Sequence, residues 1–186
     1  MKKTMILWMT VCLSILNGYA QKVQEPQFIG EVVALISDST AISLEKKIPT
    51  IKSKSGISVR LTGFGAVKTH MHVEGSKAIS RIKRTDNSIE LLIRVADNNN
   101  DPTDCIRLFK FEQKKKERRA EMASVNTFGQ ASADNLNYIP FEGRKYGDSS
   151  YLIRFDVTEP CELGVIVNHS GAEKDGQLII RCLGID

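Results

Sequence analysis

His70 and His72, in "KTHMHVEG", stand two residues apart, so on a β-strand both imidazoles leave the same face and could share a metal ion. A zinc site needs at least one more ligand, which here would have to be His169 or a carboxylate such as Glu74, and spacing places neither. The competing reading is a pair of histidines on an exposed strand face. "DNNNDPTD" sets Asp97, Asn99, Asp101 and Thr103 at alternate positions, close to the oxygen ladder of a calcium loop. That ladder breaks where Pro102 replaces the turn glycine and Leu108 replaces the last glutamate. Asn, Asp and Pro are equally the residues of a tight turn, so a turn is the expected reading. No cofactor is expected, with Ca2+ as the alternative to test.

Three cysteines, Cys105, Cys161 and Cys182, follow the first twenty residues. If "ELGVIV" and "QLIIRC" form a hairpin in which Val165 faces Leu178, the same register sets Cys161 opposite Cys182, close enough to bridge. A bridge using Cys105 and three buried thiols are the other readings. Nothing supplies a base for a catalytic cysteine. GxSxG, HExxH, CxxC and a phosphate-binding glycine loop are all absent. Carboxylates are spread along the whole chain, so a glycosidase pair cannot be located.

These groups need a scaffold, and the chain reads as all-β. Period-two alternation recurs between Gly, Asn, Asp and Ser punctuation, with no long helical periodicity. Strands are expected at "FIGEVVALIS", at its hairpin partner "AISLEKKI", at 57–61, 68–74, 78–84, 88–96 and 105–112, then from Arg119, and at 151–157, 162–168 and 177–183. About ten short strands with such spacing predict a two-sheet antiparallel β-sandwich, with a β-barrel as the alternative. "KFEQKKKERRAEM" packs six cations into thirteen residues. Its alternation, with interleaved glutamates, predicts a hairpin whose charged tip keeps a sheet edge from pairing with other chains, with a site for an acidic ligand or anionic surface as the alternative. Residues 126–150 read as the longest irregular stretch, anchored by Tyr138, Ile139 and Phe141. If loops carry function, Tyr138, Arg144, Lys145 and Tyr146 are the candidate binding residues.

"MKKTMILWMTVCLSILNGYA" has two lysines, an apolar core too short to span a bilayer and small residues before Ala20, which predicts a signal peptide over 1–20 and a single sandwich domain over 21–186. Met9-Thr10-Val11 offers no small residue beside Cys12, against a lipid anchor there. Loss of Lys2 and Lys3 lowers the net charge from +4 to +2, too little for nucleic acid to be a partner. The one tryptophan, Trp8, leaves with the leader, which disfavours a carbohydrate-binding module built on flat aromatic faces. No membrane span is expected after cleavage.

The Ala20-Gln21 junction, "GEVVALISDSTAISLEKK", "RKYGDSSYLIRF" and the ending "CELGVIVN...IIRCLGID" together resemble a group of small exported bacterial β-sandwich proteins of no assigned function. The resemblance implies a periplasmic or surface location and transfers no active residues. The expected function is therefore an exported, non-catalytic sandwich that binds an envelope or extracellular partner, protein or glycan. A secreted glycan-directed hydrolase and a surface-fibre or adhesin subunit are the alternatives.

Overall fold

The computed structural model describes residues 23–37, 39–55, 66–83, 87–125, 131–132, 134–168 and 177–186. The expected leader, the expected strand over 57–61 and His169 lie outside the described residues. In chain order these residues form β1 (Val32–Ser37), β2 (Thr40–Ser43), β3 (Glu45–Lys47), β4 (Thr50–Ser55), β5 (Val67–Glu74), β6 (Arg81–Ile82) and β7 (Ser88–Arg94). One helical turn, α1 (Pro102–Cys105), precedes β8 (Ile106–Lys110), β9 (Glu112–Gln113), β10 (Glu117–Val125), β11 (Ala131–Ser132) and β12 (Asn137–Tyr138). The chain then forms β13 (Glu142–Tyr146), β14 (Ser150–Asp156), β15 (Cys161–Val167) and β16 (Ile180–Ile185). No helix among the described residues is long and apolar enough to cross a membrane.

Sheet 1 has the order β13-β14-β7-β1-β2; sheet 2 has β12-β8-β15-β16-β3, with β6 beside β16; sheet 3 has β11-β10-β5-β4, with β9 beside β10. The short β6–β16 contact is parallel, whereas the long ladders such as β10–β5 and β14–β7 are antiparallel. Sheets 1 and 2 make the expected sandwich. Val32, Leu91, Ile93 and Ile153 of sheet 1 pack on Leu108, Leu163, Val165 and Leu183 of sheet 2. The opposite face of sheet 2 is apolar as well: Phe109, Ile166, Ile180 and Cys182 meet Met71, Val73 and Ala120 of sheet 3. Sheet 2 is thus the middle of three layers. This is why "CELGVIV" shows a buried run where a sheet wetted on one side would alternate.

At two places the chain changes sheets at a single buried residue. Leu44 separates β2 in sheet 1 from β3 in sheet 2, and Phe111 separates β8 in sheet 2 from β9 in sheet 3. The expected partner strand "AISLEKKI" is therefore cut in two at Leu44, its one buried residue, which drops into the core between sheets 1 and 2. Gly164 faces Phe109 across the β15–β8 ladder, and a Cβ there would collide with the Phe109 and Phe111 rings, which meet edge to face at 5.0 Å. Residues 126–150 are less irregular than expected, since β11, β12 and β13 fall inside them. "EGRKY" carries no apolar alternation because β13 is an exposed edge strand whose pairing is set by β14. The turn that joins them uses Gly147 at φ 58, with the Glu25 side chain in the space a Cβ would take.

An ion network sits at the end of the interface between sheets 2 and 3. Arg118, with 0% of its surface exposed, donates from Nε to the Gly75 carbonyl at 3.1 Å and from Nη2 to Glu45 Oε2 at 3.2 Å. Its Nη1 lies 3.8 Å from Glu162 Oε2, and its guanidinium sits 5.9 Å from the Phe111 ring centre. Glu162, 3% exposed, accepts from the Ala78 N–H at 2.7 Å and from Arg81 Nη1 at 2.6 Å, and Arg81 continues to Asp186.

The predicted Cys161 to Cys182 disulfide is not formed. β15 pairs with β16 so that Cys161 faces Ile185 and Cys182 faces Gly164, three residues from the predicted register. An odd slip turns a strand's side chains over. Cys161 accordingly packs in the core between sheets 1 and 2, Cys182 in the core between sheets 2 and 3, and none of the three cysteines is in a disulfide. Burial pushes the Cys182 thiol up to about 12, so it carries almost no thiolate.

Removing one partner of a buried ion pair strands the other, so Glu162→Ala is expected to lower stability by about 3–5 kcal/mol in urea unfolding. Thiol titration of the unfolded, unreduced chain is expected to count all three of Cys105, Cys161 and Cys182; a count of one among them would mean a bridge. Burial alone would raise the Glu45 carboxyl, but Lys47, the Ile79 N–H and Arg118 together hold it below 4.5. A carboxylate depressed in the folded state stabilises above its unfolded value and loses that contribution as pH falls through the folded one. The urea midpoint is expected to drop below about pH 4.5, and less steeply in Glu45→Gln.

Candidate functional site

Two of the chain segments that pass between sheets 2 and 3, one at Phe111 and one at 134–136, frame a surface groove of about 580 Å3. Lys68 and His70 of β5, Lys110 of β8, Glu112 of β9, Arg119 and Glu121 of β10, and Asn135 and Asn137 reach into it, with Phe111 and Ala120 as its apolar part. Alternation in β10 explains the division of labour. Arg118 and Ala120 point inward to sheet 2, whereas Glu117, Arg119 and Glu121 point out. Register then sets His72 beside Arg119 and His70 beside Glu121 on one side of β10, and Glu112 beside Arg119 on the other.

Both groove carboxylates are tied to cations. Glu121 Oε2 accepts from Lys68 Nζ at 2.8 Å and its Oε1 from Asn135 Nδ2 at 3.0 Å, which hold its carboxyl below the usual range. Glu112 accepts from Arg119 Nε at 2.5 Å and from Lys114, and these bonds hold it at about 2. His70 Nε2 lies 3.8 Å from Glu121 Oε2. Burial, then the neighbouring Arg119 charge, lowers the His70 pKa below its ordinary 6.5, so the ring is neutral at pH 7. Lys110 has only a 3.6 Å contact with the exposed Glu159.

Of the expected metal residues, His70 and His72 do lie together, with ring centres 6.2 Å apart on the outer face of sheet 3. Among the described residues no group of three His, Cys, Asp or Glu side chains is arranged to hold a metal. Glu74 lies opposite Glu117, away from His70, and His72 Nδ1 is 3.0 Å from Glu117 Oε1. In the "DNNNDPTD" loop the oxygens serve the chain itself. Asp97 Oδ1 accepts from the Asn99 N–H at 3.1 Å, and Asp101 Oδ1 accepts from the Thr103 N–H at 2.8 Å and hydroxyl at 2.6 Å, capping α1. The arrangement is that of a turn followed by a helix cap.

The four loop candidates do not converge. Tyr138 is exposed on β12 in sheet 2, its hydroxyl 2.5 Å from Asp134 Oδ1, whereas Arg144, Lys145 and Tyr146 belong to β13 at the edge of sheet 1. Tyr146 is buried and donates to the Val23 carbonyl, which pins the segment after residue 22 to the outer face of sheet 1. The groove residues that sequence reading did not single out include Lys110, Glu112, Arg119 and Glu121, which lie on the two strand arms either side of the expected charged tip. The tip is there, since Lys114 N–H bonds to the Glu117 carbonyl around Lys115 and Lys116. The available signal was the spacing of two charges at i and i+2 on each arm, which puts both charges of an arm on one face.

A proton NMR titration is expected to place His70 below 6.5. Arg119→Gln, which removes the neighbouring positive charge, is expected to move it upward; an unchanged value would mean burial alone sets it. No protein-family model, curated protein or solved structure matches the chain, so the chemistry of the groove itself carries its functional reading.

Proposed function

We propose that the chain is an exported, non-catalytic binding protein that holds an envelope or extracellular partner in the groove between sheets 2 and 3. The observation that carries this reading is the state of Glu112 and Glu121. A glycosidase needs one carboxyl group pushed up so that it can give a proton at neutral pH, and ion pairs hold both of these down. Groups locked in complementary pairs on rigid strands suit recognition, because their order is set before a ligand arrives. The volume falls in the range of ligand sites, roughly 300–1,000 Å3. A fibre subunit would instead present an open strand edge, and β4, the edge of sheet 3, bears Lys52 and Lys54, residues that discourage strand addition.

The test has two arms. Purified protein offered a panel of glycan, peptide and ester substrates is expected to turn over none of them, and turnover that disappears in Glu121→Gln would replace this reading with a hydrolase. A photo-crosslinking side chain in place of Asn137 is expected to capture a discrete partner in the host envelope, whereas the same group in place of the exposed Arg154 on sheet 1 is not. Capture from position 154 alone would move the binding face elsewhere.

A further inference from the structure

The outer face of sheet 3 is electrically polarised. Its register sets Glu74 opposite Glu117 at one end and Lys54 opposite Lys68 at the other, with Lys52 beside His70 between them. Like charges facing across a ladder destabilise it unless something of opposite sign lies over them. At the acidic end His72 Nδ1 lies 3.0 Å from Glu117 Oε1. At the basic end Glu121 answers Lys68 alone, and no ion pair among the described residues engages Lys52 or Lys54. Those lysines border the groove at Lys68, and Lys110 adds a weakly matched cation at its far side.

From this we infer that the groove takes an acidic sugar, a uronic-acid-bearing glycan, with its carboxylates toward Lys68, Lys110 and the Lys52–Lys54 row and its hydroxyls toward Glu112, Glu121, Asn135 and Asn137. The inference rests on the reading of the groove as the binding site. Two features narrow the class. A ligand made only of anions meets two ionised carboxylates and is repelled by them, and a neutral sugar leaves Lys52 and Lys54 unmatched and Lys110 with only its exposed Glu159 contact among the described residues. An acidic sugar offers anions to the cations and hydroxyl donors to the carboxylates, while each Asn amide both donates and accepts. Recognition then runs through charge and hydrogen bonds, in keeping with the lack of any tryptophan in the residues after the leader.

Titration calorimetry of the full chain as its host exports it, with a hexagalacturonate, its methyl ester and hexaglutamate, tests this. Saturable binding of the free acid is expected, at least about tenfold tighter than either of the others, as loss of a hydrogen bond to a charged group implies. Lys68→Ala and Lys110→Ala, both at partly exposed side chains, are each expected to weaken it about tenfold with an unchanged melting temperature. Equal binding of the methyl ester overturns the inference, because the anion is then not read. Equal or tighter binding of hexaglutamate that Lys68→Ala weakens also overturns it, naming an acidic peptide while leaving the groove as the site. If none of the three binds, the inference fails; the reading of the groove fails with it only if the Asn137 crosslinker is silent too.

Discussion

Arg118 carries a charge that no water reaches, and four distant parts of the chain are arranged to answer it. Glu45 comes from β3, Glu162 from β15, the Gly75 carbonyl from the turn after β5, and Phe111 from a crossover between sheets. Glu162 is answered in turn by Arg81, and Arg81 by Asp186. Burying such charges is unfavourable unless geometry and hydrogen bonds are good, so the network acts as a condition on the fold more than as a source of stability. A one-residue slip of β15 would swing Glu162 into the apolar core facing sheet 1. Apolar contacts alone would tolerate several registers; this network tolerates one.

The groove inherits its order from that condition. Residue 118 is fixed inward, so residues 117, 119 and 121 must face outward, and β5 and β9 meet them in a set register. Arg119 then finds Glu112, and Glu121 finds Lys68, without any loop having to be positioned separately. The charged residues of the site therefore lie on strands, with Phe111 and Asn135 supplied by crossover segments. Strand-borne side chains hold their spacing better than loop-borne ones, which fits recognition by a fixed pattern of charges.

The all-β class and most long strands were legible because period-two alternation is a local property: β5, β7, β14 and β15 begin and end within a few residues of where their sequences place them. What escaped depends on partners far along the chain. The third sheet could not be read from "HMHVE" or "RRAEM", whose inward residues Met71, Val73 and Ala120 look like any half-buried strand. The hairpin of β15 and β16 was legible but its register was not, since local pattern does not count out the residues between the two strands. That odd error alone produced the predicted disulfide. Two charges on each arm of "KFEQKKKERRAEM" gave the groove away only once register was known; in sequence they merge with the lysines of the tip.

Sheet 2 has an order of assembly written into it. Its strand β16, near the end of the described chain, pairs with β15 beside it in sequence but also with β3 and β6 from far upstream, while Arg181 donates to the Gly30 carbonyl. The middle layer cannot close, and neither outer sheet can cover it, until these residues arrive. Contacts of such long sequence separation make folding slow, because loops must close before apolar contacts repay the lost entropy. A nascent chain lacking β16 therefore stays open, and commitment to the native state is postponed until that strand has emerged.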